Sequence, residues 1–72
     1  MSVPYFEPIT EMIDGYECMV STVPVGKRYE GRYRVDSLCL RDRTGLYETG
    51  EEASEAARDL ARKAIREKRH EA

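Results

Sequence analysis

The chain has 72 residues, 40% of them hydrophobic and 36% charged, with 12 Lys and Arg against 14 Asp and Glu and a formal charge of −2 at pH 7. One domain is the ceiling at this length, and folding buries only about 60% of the surface that the unfolded chain exposes. This balance excludes a disordered tail and a strongly basic, histone-like nucleic-acid protein; no apolar run approaches the roughly 18 residues of a membrane span, and no signal peptide is expected.

Residues 1–12 contain Pro4 and Pro8 and read as an irregular N-terminal arm. Tyr5, Phe6 and Ile9 are apolar enough to lay that arm over an edge or an end of the core. A single domain over residues 13–70 is expected to follow. Residues 13–23 alternate, with Tyr16, Cys18, Val20 and Thr22 on one face and Glu17, Met19, Ser21 and Val23 on the other. Period two with aromatic and β-branched content predicts a strand that Pro24 ends, and Gly26 allows the turn.

Residues 29–41 alternate again. Tyr29, Gly31, Tyr33 and Val35 share one face and Glu30, Arg32 and Arg34 the other. Leu38 and Leu40 have the opposite parity to Val35, and an extra residue near Asp36-Ser37 would restore the inward phase, which predicts a β-bulge in one long strand. An antiparallel register with positions summing to about 51 puts Tyr16 opposite Val35, Cys18 opposite Tyr33, and Glu17 opposite Arg34 on the outer face. Asp42-Arg43-Thr44-Gly45 reads as a hairpin turn, followed by a short third strand to Glu48 with Tyr47 inward and Leu46 outward.

Thr49-Gly50-Glu51-Glu52 has the form of a capping box, and the helix behind it is expected to run to about Lys68. Ala53, Ala56, Ala57, Leu60, Ala61, Ala64 and Ile65 keep the i, i+3, i+4, i+7 pattern. Glutamates crowd its start and Arg62, Lys63, Arg66, Lys68 and Arg69 its end, as the helix dipole favours. Alanines fill little volume. Bulk must therefore come from Tyr16, Val20, Tyr33, Val35, Leu38, Leu40 and Tyr47 on the strands, with Leu60 and Ile65 as the helix's large anchors. The expected fold is α+β: a three-stranded antiparallel sheet with one C-terminal helix packed on one face, β-β-β-α.

The charge is segregated. Residues 1–26 hold Glu7, Glu11, Asp14 and Glu17 and no cation, a charge of −4. Residues 27–43 hold Lys27 and five arginines against Glu30, Asp36 and Asp42, a charge of +3, and residues 44–72 carry −1. Cys18 and Cys39 stand alone, without the Cys-x-x-Cys spacing or the larger count of a secreted small domain, so both are expected as free thiols in a reducing cytoplasm.

The strand ending near Pro24, the long strand from Tyr29 to Leu40, and Tyr47-Glu48-Thr49-Gly50-Glu51-Glu52-Ala53 opening an alanine-rich helix together resemble a group of small uncharacterised bacterial proteins. Their β-β-β-α topology is similar to a double-stranded-RNA-binding domain lacking its first helix. The resemblance covers residues 13–68 and implies a fold, with no activity attached. Double-stranded-RNA binders set a lysine cluster at the start of the final helix; here Glu51, Glu52 and Glu55 stand there and repel phosphate.

Catalytic and ligand motifs find little support. Gly26 to Gly31 and Gly45 to Gly50 have the glycine spacing of a phosphate loop, but Arg32-Tyr33 and Glu51-Glu52 follow in place of Lys and Ser or Thr. One histidine, His70, and two distant cysteines make no zinc pattern. No catalysis, metal or cofactor is therefore expected. The tyrosines at 16, 29, 33 and 47 fall on the core face rather than forming a stacking platform. What remains is the uncovered sheet face, with Met19, Arg32, Arg34, Arg41 and Arg43 as its candidate contact residues. The expectation is a small interaction module for a protein partner or a second copy of itself, with nucleic-acid binding through those arginines as the alternative.

Overall fold

Four antiparallel strands and one helix make up the fold, in a computed structural model that describes residues 6–71, with side chains from Pro8 to His70. The elements are β1 (Phe6–Ile13), β2 (Tyr16–Val25), β3 (Arg28–Val35), β4 (Leu40–Tyr47) and α1 (Gly50–Glu71). The strands form a meander in the order β1-β2-β3-β4, and α1 lies across one face, chiefly over β3 and then β4 and β2. The α+β class, the antiparallel sheet and the C-terminal helix on one face are as the sequence implies; the strand count is four, not three.

The added strand is β1. Residues 6–12 are not an irregular arm but an edge strand paired with β2, with Ile13 opposite Tyr16. The part of the expected arm over residues 1–5, including Pro4 and Tyr5, lies outside the described residues. Asp14 and Gly15 make the connecting turn, with φ of 49° and 86°. Two central residues at positive φ are the mark of a type I′ hairpin, whose twist suits the flanking strands, and Asp-Gly is among its favoured pairs. Pro8 is tolerated because β1 is an edge, and the pairing shifts register between Phe6 and Ile9.

β2 does not stop at Pro24 but continues to Val25, which pairs with Arg28 across Gly26 and Lys27. Only Gly26 is at positive φ there, 63°, as a type II′ turn requires. The β2–β3 register places Val20 opposite Tyr33, Thr22 opposite Gly31 and Met19 opposite Arg34. It lies two residues from the expected one. An even shift keeps every side chain on its face. Arg34 therefore has Met19 across from it rather than Glu17.

The parity slip after Val35 marks a turn and not a bulge in a continuous strand. Asp36–Leu38 form one turn of 3-10 helix, Cys39 takes a left-handed conformation at φ 55°, and β4 begins at Leu40 opposite Val35. The bulge lies further on, within the stretch expected to be a hairpin turn. Arg43 faces Arg32 and Leu46 faces Glu30, so Thr44 and Gly45 share the space opposite Gly31. Thr44 is buried, and its hydroxyl accepts the Gly31 N–H at 2.9 Å while donating to the Gly45 carbonyl at 2.6 Å. The side chain thus supplies a bond that the disrupted ladder does not.

The core is thin and tightly apposed. Ala53, Ala57, Ala61 and Ile65, spaced by four, are fully buried along α1. Beneath them lie Ile13, Cys18, Val20, Tyr33 and Val35, with Tyr16, Leu38, Leu40, Leu60 and Ala64 half-buried around the rim. Leu60 is thus a rim residue, and Ile65 is the helix's fully buried large anchor. A Cβ on Gly31 would fall onto the backbone carbonyl of Ala53, and the same point lies 3.1 Å from the Ala57 methyl. Glycine on β3 and alanine on α1 are the two halves of one close approach. The N-cap half of the capping box is present: Thr49 Oγ1 accepts the Glu52 N–H at 3.1 Å, and the Glu52 carboxylate accepts from the Thr49 hydroxyl rather than from its backbone N–H. Arg58 ties the helix to β1 through Glu11 at 2.8 Å.

Candidate functional site

The sheet face turned away from α1 is the site, and its character follows from period two. Outward positions are Thr10 and Met12 on β1, Glu17, Met19, Ser21, Val23 and Val25 on β2, Arg28, Glu30, Arg32 and Arg34 on β3, and Arg41 and Arg43 on β4. After the bulge, Leu46 also turns outward. The five residues singled out from the sequence, Met19, Arg32, Arg34, Arg41 and Arg43, meet in one place: with Pro8, Ser21, Tyr33 and Asp42 they line a shallow open groove of about 660 Å³.

Register sets the electrostatics. Arg34 is directly opposite Arg41, and Arg32 directly opposite Arg43. Like charges facing one another across a strand pair are destabilising. The compensation is partial. Arg32 Nε donates to Glu30 at 2.7 Å, and Glu30 is nearly buried beneath it, so this guanidinium is held. Arg34 pairs with Asp36 at 2.9 Å, but both groups are well exposed, and an exposed pair contributes little. Arg34 also reaches the Met19 sulfur at 3.6 Å. The Arg41 and Arg43 guanidinium groups have no ion pair among the described residues.

The same face continues past Glu30 into an aliphatic strip. Val23 is half-buried there, while Val25 and Leu46 are 42% and 46% exposed. No aromatic side chain points outward among the described residues: Tyr16, Tyr29, Tyr33 and Tyr47 are all on the helix side. Sequence reasoning missed the Arg–Arg opposition, because it placed Arg43 in a turn; the signal was the Arg-x-Arg repeat on either side of residues 36–39.

Elsewhere the chemistry is sparse. Cys18 is buried against the helix side, and burial, aided by the Glu11 charge, pushes its thiol up; the Arg34 backbone hydrogen bond opposes that only in part. Burial pushes the Tyr33 hydroxyl up as well, with the charges of Asp42, Cys18 and Glu67 adding to it. Cys39 is exposed, and both thiols are free. Among the described residues no three His, Cys, Asp or Glu side chains gather as metal ligands, and no helix is long and apolar enough to cross a membrane. The chain matches no protein-family model, no curated protein and no solved structure.

Proposed function

We propose that the protein is a small non-enzymatic interaction module that docks an anionic partner on the arginine-bearing face of its sheet. The reading is carried by one observation: four arginines stand in two opposed pairs, Arg32–Arg43 and Arg34–Arg41, on a face that α1 leaves uncovered. A fold that accepts this repulsion gains back its cost when an anion settles between the pairs. Self-association by stacking this face on a copy is disfavoured, since it would set two arginine clusters against each other. The two free thiols support a reducing, cytoplasmic setting.

The test is retention on an immobilised polyanion such as heparin. Wild-type protein is expected to bind at low salt and to elute as salt rises, and the Arg41→Ala/Arg43→Ala protein is expected to elute earlier. Flow-through of folded wild type at low salt removes the proposal.

A further inference from the structure

We infer that the anionic partner is duplex DNA, read by the β3–β4 hairpin in the major groove; this rests on the docking reading above. All four arginines belong to β3 and β4, two on each strand, and all lie within four residues of the Asp36–Cys39 turn. Adjacent strands are about 4.8 Å apart and alternate residues along a strand about 6.6 Å apart. The four guanidinium groups therefore leave a patch the width of a two-stranded ribbon. A B-form major groove, about 12 Å wide, admits such a ribbon.

The neighbours suit that placement. β2 sets Ser21 and Met19 beside the arginines and Glu17 at the Arg34 end of the face, with Pro8 of β1 at the margin of the groove. The face presents no outward aromatic ring among the described residues, so it offers single strands no stacking platform. The helix-side carboxylates at Glu51, Glu52 and Glu55 belong to α1, on the opposite side of the sheet. Arg41 and Arg43, whose guanidinium groups hold no ion pair among the described residues although Asp42 stands between them, are the groups for guanine edges or phosphates, and Arg34 joins them by releasing the exposed Asp36. Arg32 stays with Glu30 and serves to position the ribbon.

The groove requirement distinguishes DNA from other polyanions. The A-form major groove of duplex RNA is too deep and narrow for side chains to read. Fluorescence anisotropy of the full chain with labelled duplex DNA, duplex RNA of the same sequence, the single strand, and labelled polyglutamate tests this. Duplex DNA is expected to bind at least about tenfold more tightly than each of the others, a difference of about 1.4 kcal/mol. Its log affinity is expected to fall with log salt at a slope of about −2 to −3, as two or three neutralised phosphates require. Arg41→Ala/Arg43→Ala is expected to weaken duplex binding at least about tenfold. Lys63→Ala/Arg66→Ala, which removes the same charge from exposed positions of α1, is expected to leave it within about twofold.

Equal binding of RNA and DNA duplexes overturns groove entry, as does equal loss in the two double variants. Tight binding of polyglutamate with weak binding of DNA overturns this inference in favour of an acidic protein partner and leaves the docking reading standing. Failure of every polyanion to bind overturns both.

Discussion

At the scale of single residues, two positions show backbone geometry deciding what the side chain is allowed to be. Gly31 faces the backbone of α1 so closely that even a methyl group falls on the Ala53 carbonyl. Backbone cannot step aside as a flexible side chain does, so the helix must lift from the sheet. Gly31→Ala is expected to cost about 3 kcal/mol or more, at the upper end for overpacking, and a urea melt reads it directly. An unchanged midpoint would mean that helix and sheet are not in this contact. Cys39 is the reverse case. It is held at φ 55°, where a Cβ costs roughly 1–2 kcal/mol, and its side chain is exposed. Cys39→Gly is therefore expected to stabilise by a few tenths to about 1 kcal/mol, the relief offset partly by a freer unfolded chain. Destabilisation in the same melt would show that the turn is not left-handed there.

At the scale of elements, the helix was legible because two independent signals agree: the capping box at Thr49–Glu52 and a stripe with a period near four. They do not rank its anchors, because periodicity marks a face and not its centre. Ile65 is fully buried and Leu60 sits at the rim. Ile65→Ala is expected to cost about 2–5 kcal/mol and Leu60→Ala distinctly less, with thermal melts of the two giving the order. The strands were legible as faces but not as a topology. Asp14-Gly15 announces a hairpin, yet Pro4 and Pro8 drew the preceding residues into a loop reading. The β3–β4 turn runs through Asp36, Ser37, Leu38 and Cys39, with neither Gly, Pro nor Asn to mark it, while Thr44-Gly45 looks like a turn and is a bulge. The candidate site survived these errors for a physical reason. A register wrong by two residues leaves inward residues inward, so Met19, Arg32 and Arg34 were placed on the open face despite wrong partners. The opposition of Arg32 to Arg43 depends on the register itself and was hidden.

At the scale of the whole molecule, stability is a small difference spread over few buried groups, so the titration of any one of them is felt globally. Two core groups carry protons that burial protects. The Cys18 thiol is held above its ordinary value of 9.0 and the Tyr33 hydroxyl above 10.0, burial being the larger cause in both. Unfolding returns each to water, where it ionises at the lower, ordinary value. The unfolded chain therefore sheds protons first, and folded protein loses its advantage as pH climbs. Stability from these groups is complete below about pH 9 and declines through the range in which the folded groups at last ionise. Urea midpoints measured at about pH 7, 9 and 10.5 are expected to be level between the first two and clearly lower at the third. Cys18→Ala lowers the midpoint at every pH by the volume it removes, but it is expected to delay the onset of the decline toward the tyrosine range. An alkaline decline that begins at the same pH with and without the thiol would show that Cys18 does not sit protonated in the core, and would take with it the packing of β2 beneath the alanine stripe.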